Sequence, residues 1–330
     1  MQRDLFKSKA LPLAGFGLCF LLSLLPIQEW APYGSQILLL IGLNMTLAVS
    51  LNLVNGITGQ FSLGHAGFMS IGAYTSGALS LYFPQLVDAV IISEGFTDGL
   101  VFLIGMFLGG VLAAGAGYLV GLPSLRLKGD YLAIVTLGFG EVLAAFWRNI
   151  EGLGGPRGLS LPAPQAGFFS IFGVAILTLL VVQRTTNSTH GRAMLSIRED
   201  EVAAESIGID TTGYKVRAFV ISSFLAGLAG ALYVQLIGLI TPETFSFVKS
   251  TEVVVMVVLG GLGSTSGALF AAVILTLLPE ALRPLKGYTG MDLRMVIYST
   301  LLVVLMLVRP SGLLGKYELW NISKRKKEKA

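Results

Sequence analysis

Few residues in this chain can do chemistry, and their positions are informative. Glu141 stands near the middle of an apolar run over 131–148. An ionised carboxylate is costly to bury in lipid, so an acid there is a functional candidate. It either lines a pathway or locks onto a polar group of another helix. Asn44, Thr46 and Asn52 are candidate partners for such a lock. His65 is the only histidine near an apolar run, since His190 lies in a polar segment. Zinc sites need three or four ligands. Cys19 and two distant histidines do not supply them, so no metal is expected. His65 then reads as a packing or gating residue. No G-x-x-x-x-G-K-[ST] string occurs, so the phosphate-cradling loop is absent and no nucleotide cofactor is expected. Energy for any transport must come from another subunit or from an ion gradient.

Glycines form two further clusters. Asn55 and Gly56 open the first, followed by Gly59, Gly64, Gly67, Gly72 and Gly77. The second comprises Gly260, Gly261, Gly263 and Gly267, with Ser264, Thr265 and Ser266 between them. Small residues permit close helix contact in membranes. Broken helices that offer backbone groups to a substrate are the alternative.

Apolar elements must position these residues. Of 330 residues, 54% are apolar and only 13% are charged, against about 25% charged in soluble domains. That excludes a soluble enzyme, a disordered chain and a disulfide scaffold. The net charge of +4 lies mostly at the termini. Without an exposed basic domain, no nucleic-acid partner is expected. Spans are read near 10–27, 35–54, 61–83, 100–121, 131–148, 167–183, 217–240, 252–279 and 293–309. The first follows Arg3, Lys7 and Lys9 without a small-residue cleavage site, as in an uncleaved first helix.

Loop charges set the orientation. Segment 84–99 holds acids and no Lys or Arg, so it reads as outside. Arg126 and Lys128, the 184–216 loop and the basic tail of 311–330 read as inside. Both termini are then cytoplasmic, which requires an even number of crossings. The glycine-broken 252–279 segment restores parity as two half-helices or a re-entrant hairpin. Non-helical backbone at that depth must be buried in protein or line a cavity. The expected fold is an all-α polytopic membrane protein of about eight to ten transmembrane helices, some broken or re-entrant. It forms one domain over 1–330.

The 184–216 loop holds five acids and, with Arg217 just beyond it, five bases. Ser196 and Glu199 have capping-box spacing. Glu199, Asp200 and Glu201 favour the positive end of a helix dipole. Gly208 suits a C-terminal cap. One helix is expected over 197–207, with Ala203 and Ala204 offering a close-approach surface. It is either a docking helix for a partner or a solvated connector.

Here the chain resembles a known family. Glu201-Val202-Ala203-Ala204-Glu205-Ser206-Ile207-Gly208 is similar to the coupling loop of ATP-binding-cassette importer permeases, in the variant of LivM-type subunits for branched-chain amino acids. The resemblance covers nearly the whole chain. It includes Asn55-Gly56-Ile57-Thr58-Gly59-Gln60-Phe61-Ser62-Leu63-Gly64-His65, Leu127-Lys128-Gly129-Asp130-Tyr131 through Glu141, and Val257-Val258-Leu259-Gly260-Gly261-Leu262-Gly263. Leu153 departs from it, where Thr is expected before the paired glycines. The resemblance implies a permease in a bacterial-type inner membrane. Its implied partners are a second homologous permease, two ATP-binding-cassette ATPases and an extracytoplasmic substrate-binding protein. It assigns ATPase coupling to Glu201, Ala203, Ala204, Glu205 and Gly208. Its implied cargo is a branched-chain or other hydrophobic amino acid. Urea or a short amide is the alternative cargo. An ion-coupled secondary transporter using Glu141 as a proton relay is the alternative class.

Overall fold

The computed structural model describes residues 32–87, 94–125, 131–161 and 165–283, with 299–300, 303–304, 307–308, 312–315 and 318. The expected first span, Cys19, Arg126, Lys128, most of 293–309 and most of the 311–330 tail lie outside the described residues.

Apolar sequence in lipid has to satisfy its own backbone, and helices do so within one segment. The described chain is accordingly helical. Helix α1 (Pro32–Asn52) runs on into a π-turn over Leu53–Ile57, and α2 spans His65–Val87. Next come α3 (Glu94–Ser124), α4 (Tyr131–Arg148) and α5 (Phe168–Asn187). The loop contributes α6 (Thr189–Glu199) and α7 (Glu201–Ser206). Then follow α8 (Thr211–Ile237), α9 (Phe247–Gly260) and α10 (Thr265–Ala281). Two-residue strands β1 (Leu159–Ser160) and β2 (Leu239–Ile240) pair antiparallel beyond α4 and α8.

Among the described residues, five segments are long and apolar enough to cross a membrane: Pro32–Ile57, Gly99–Ser124, Tyr131–Arg148, Phe168–Asn187 and Thr211–Ile237. The protein is an all-α polytopic membrane protein. The first and last of these form its centre, with 78% and 67% of their apolar windows buried, against about a third for the other three. Their outer faces carry Phe107, Leu119, Ile134 and Val142 towards the surroundings.

Small residues set the spacing of the core. Helices α2, α3 and α8 meet at Gly72, Gly109 and Gly227. A methyl group at Gly72 would collide with the Gly227 carbonyl, and one at Gly109 would stand 3.0 Å from the Gly72 Cα. Close backbone approach is the main source of helix attraction where lipid removes the hydrophobic drive. This part of the first glycine cluster is therefore packing.

The 252–279 segment is two helices, α9 and α10, joined through Gly261–Ser264. Gly261 and Gly263 have φ of 110° and 85°, a region open to glycine. The break lies level with the end of α1 and not midway along it. Helix α10 lies antiparallel to α1 along its whole length. Asn52 Oδ1 accepts from the Gly263 amide at 3.0 Å, Asn44 Nδ2 donates to Thr276 Oγ1 at 2.9 Å, and Tyr33 hydroxyl bonds Glu280. The turn therefore sits at the end of the bundle where α1 finishes.

Candidate coupling site

The loop departs from its expected form. Asp200 takes an extended conformation (φ −158°, ψ 109°) and divides the expected 197–207 helix into α6 and α7. Its Oδ1 accepts from the amides of Val202 and Ala203 at 2.9 and 3.0 Å. An N-cap needs this extended backbone, so the aspartate that caps α7 ends α6. Ser196 plays no capping role, since its hydroxyl donates back to the Ala193 carbonyl at 2.8 Å. The cap of α6 is Ser188, which accepts from Gly191 at 3.2 Å.

The end of α7 follows the glycine pattern. Gly208 has φ +87°, its amide bonds the Glu205 carbonyl at 3.0 Å, and the Ile209 amide bonds Ala204 at 3.1 Å. That pair of bonds is a Schellman motif. Glu201 pairs with Lys215, a buried residue in the second turn of α8, at 2.5 Å. Ala204 faces inward at 2% exposure, so it anchors α7 and offers no surface. The outward residues include Val202, Ala203, Glu205, Ser206 and Ile207, with Val202 64% and Ile207 77% exposed. The loop thus presents a small apolar knob on a helix fixed at both ends.

Behind α7, α6 reaches the glycine clusters. Arg198 Nη1 donates to the Gly56 carbonyl in the π-turn at 2.6 Å. Gly59, at φ +71°, lies against the Arg198 stem. Gly263 also borders the guanidinium, and a methyl at Gly56 would strike the Gly263 amide. The structure therefore brings Gly56, Gly59 and Gly263 together around one arginine. Sequence reading did not single out Arg198, because spacing alone does not reveal a bond across 142 positions.

The second glycine cluster is clamped from the other side. Glu318 accepts from the Thr265 and Ser266 amides at 2.6 and 2.9 Å and from the Ser266 hydroxyl at 2.6 Å. Gly260 packs on Gly267, and Gly261 approaches Gly315. The Leu313 amide bonds the Leu259 carbonyl at 2.7 Å.

From Gly59 the chain is non-helical until α2 begins. Asn55 Oδ1 accepts from the Ser62 amide at 3.2 Å, and Thr136 Oγ1 of α4 accepts from Leu63 at 3.0 Å. Gly64 lies flat on the Thr136 carbonyl. His65 is buried with Nε2 2.8 Å from Ser50 Oγ, and Ser222 Oγ donates to the Ser50 carbonyl at 2.7 Å. Asn52 Nδ2, Asn55 Nδ2 and both polar side-chain atoms of Gln60 are buried without a hydrogen-bond partner among the described residues. Glu141 lies apart from this cluster, on the exposed face of α4 beside Val142. The partners considered for a lock bond elsewhere: Asn44 to Thr276, Asn52 to Gly263, and Thr46 to the Gly42 carbonyl.

Residues 34–308 match the family model described as branched-chain amino acid transport system / permease component. The chain is 37% identical to the high-affinity branched-chain amino acid transport system permease protein LivM of Salmonella typhimurium, over 81% of this chain and 67% of that protein. It is 27% identical to the LivH permease of Escherichia coli, over 84% of this chain and 92% of that protein. No solved structure matches. With most of its length matched by the family model and its closely packed glycine-rich helices, the chain belongs to the permease component family of branched-chain amino acid transport systems.

Proposed function

We propose that this chain is a membrane-spanning permease subunit of an ATP-driven importer for branched-chain or other hydrophobic amino acids. The observation that carries the reading is the knob on α7. Val202 and Ile207 are exposed on a helix held by Asp200, by the Glu201–Lys215 pair and by the Gly208 cap. A six-residue helix is marginal by itself in water. Fixing it at both ends makes a rigid point of contact.

In this reading α7 docks into a partner ATPase on the cytoplasmic side, and both termini share that side. Glu205 and Ala203 flank the contact, while Glu201, Ala204 and Gly208 hold its shape. A second, homologous permease covers the exposed faces of α3 and α4. An extracytoplasmic binding protein delivers the amino acid. Glu141, on the exposed face of α4, lies at the pathway between the two permeases. The polar groups of Asn55, Gln60 and His65 belong to the inner end of that pathway, where Gly59 and Gly64 keep the backbone close-packed. The glycines at 260, 261 and 263 form the hinge beside it.

Uptake into proteoliposomes holding all subunits tests the reading. Uptake is expected to require ATP, both ATPases and the binding protein, and to survive collapse of the proton gradient. Competition with a panel of amino acids and urea identifies the cargo. Uptake driven by a proton gradient without ATP would overturn the proposal.

A further inference from the structure

The bond between Arg198 and Gly56 joins two parts of the molecule that otherwise have separate jobs. Arg198 stands in the last turn of α6, two residues before the Asp200 cap of α7. Gly56 lies in the π-turn that closes α1. Carbonyls in the last turn of a helix lack an intrahelical partner. The negative end of the helix dipole also attracts a cation there. Arg198 supplies both the missing donor and the charge, at 2.6 Å.

The surroundings leave the arginine little freedom. Its Cγ and Cβ lie 3.0 and 3.3 Å from where a methyl at Gly59 would stand. A methyl at Gly263 would meet its guanidinium. The Gly263 amide is itself tied to Asn52, the final residue of α1. Two glycines from separate segments, Gly59 and Gly263, thus make room for one side chain, and Gly56 supplies its acceptor. From Gly56, bonded contacts lead inward: Gln60 to the Val54 carbonyl, Ser62 to Asn55, Leu63 to Thr136 of α4, and His65 to Ser50.

We propose that Arg198 is the positioning residue through which movement of the coupling loop is transmitted to the end of α1 and to the non-helical segment 58–64. This rests on the docking of α7 described above. Arg198 does not touch the ATPase or the amino acid. It makes α6 and the π-turn move as one body. A network of contiguous contacts alone does not establish coupling, so the test measures coupling directly.

The complete importer is reconstituted in proteoliposomes with wild-type chain, Arg198→Met and Arg198→Lys. Met keeps an apolar stem against Gly59 but removes the donor. Lys keeps a charged donor, and a single carbonyl needs only one. ATPase co-purification, ATP hydrolysis and leucine uptake are measured on each. Arg198→Met is expected to retain the ATPases and hydrolyse ATP, while uptake per ATP falls about tenfold or more, the scale of a lost hydrogen bond to a charged group. Arg198→Lys is expected to recover most of that loss. Normal uptake per ATP in Arg198→Met would overturn the proposal. So would loss of the ATPases from that variant, because Arg198 would then be part of the dock, and so would a Lys variant no better than Met. The docking reading has its own control in Val202→Asp with Ile207→Asp. If that double variant keeps its ATPases, the dock lies elsewhere, whatever the Arg198 series gives.

Discussion

Glu201 and Lys215 meet at 2.5 Å, and Lys215 is almost completely covered while Glu201 remains partly open. The pair fastens the first turn of α7 to the second turn of α8, one of the two central helices. Removing one member of a buried pair leaves the other charge without compensation. The partial exposure of Glu201 lessens that cost. Glu201→Ala is expected to destabilise the loop by about 1–2 kcal/mol. Hydrogen exchange of amides 201–208 should quicken while that of α8 stays slow. Unchanged exchange in the loop would show that the pair holds nothing.

Gly208 requires positive φ, and a side chain there meets no neighbouring atom within 4 Å. The cost of substitution is therefore conformational, at roughly 1–2 kcal/mol for an ordinary residue in the left-handed region. Gly208→Leu is expected to abolish uptake while membrane insertion remains normal. Gly208→Asn should retain much more, because asparagine tolerates that region. Uptake assays on both variants, with insertion checked by membrane fractionation, decide it.

Two glycine substitutions should differ in outcome. Gly72→Ala forces a methyl into the Gly227 carbonyl and pushes α2 from α8. Overpacking of this kind costs about 1–3 kcal/mol. Gly115, on α3, has open space around its Cα, and alanine there is a better helix former by roughly 1 kcal/mol. Thermal unfolding of the chain in detergent should fall for Gly72→Ala and stay level or rise for Gly115→Ala.

Glu318 caps α10 through three bonds. Glu318→Ala should destabilise the chain by about 1–2 kcal/mol, the worth of a lost N-cap. Glu318→Gln keeps one acceptor oxygen and should lose less. Thermal unfolding of the two variants side by side tests the order.

Glu141 lies outside the packed interior, so its removal should spare the fold of the isolated chain. Glu141→Ala is expected to unfold at the wild-type temperature and yet reduce uptake in the assembled importer. A variant with full uptake would take Glu141 out of the pathway.

Much of this protein is readable from composition and order. Apolar runs located α4 at its observed bounds, since a segment in lipid has to close its own hydrogen bonds. Glycine between apolar stretches marked the α9–α10 break, and Gly208 marked the end of α7. These are local properties, decided by a residue and its near neighbours. Other features depend on partners far along the chain. Asp200 divides the loop helix because its carboxylate outbids helix continuation, while Ser196, the expected cap, turned back to Ala193. Ala204 looked like surface until α7 was laid down with that side inward. The placement of the glycine break at the bundle end, and of Arg198 among Gly56, Gly59 and Gly263, required α1, α6 and the α9–α10 turn to meet. Hydrophobic pattern sets which segments enter the membrane, but it is blind to which of them touch. Only the tertiary structure chose those contacts, through close backbone approach at glycines and the bonding of otherwise unsatisfied helix ends.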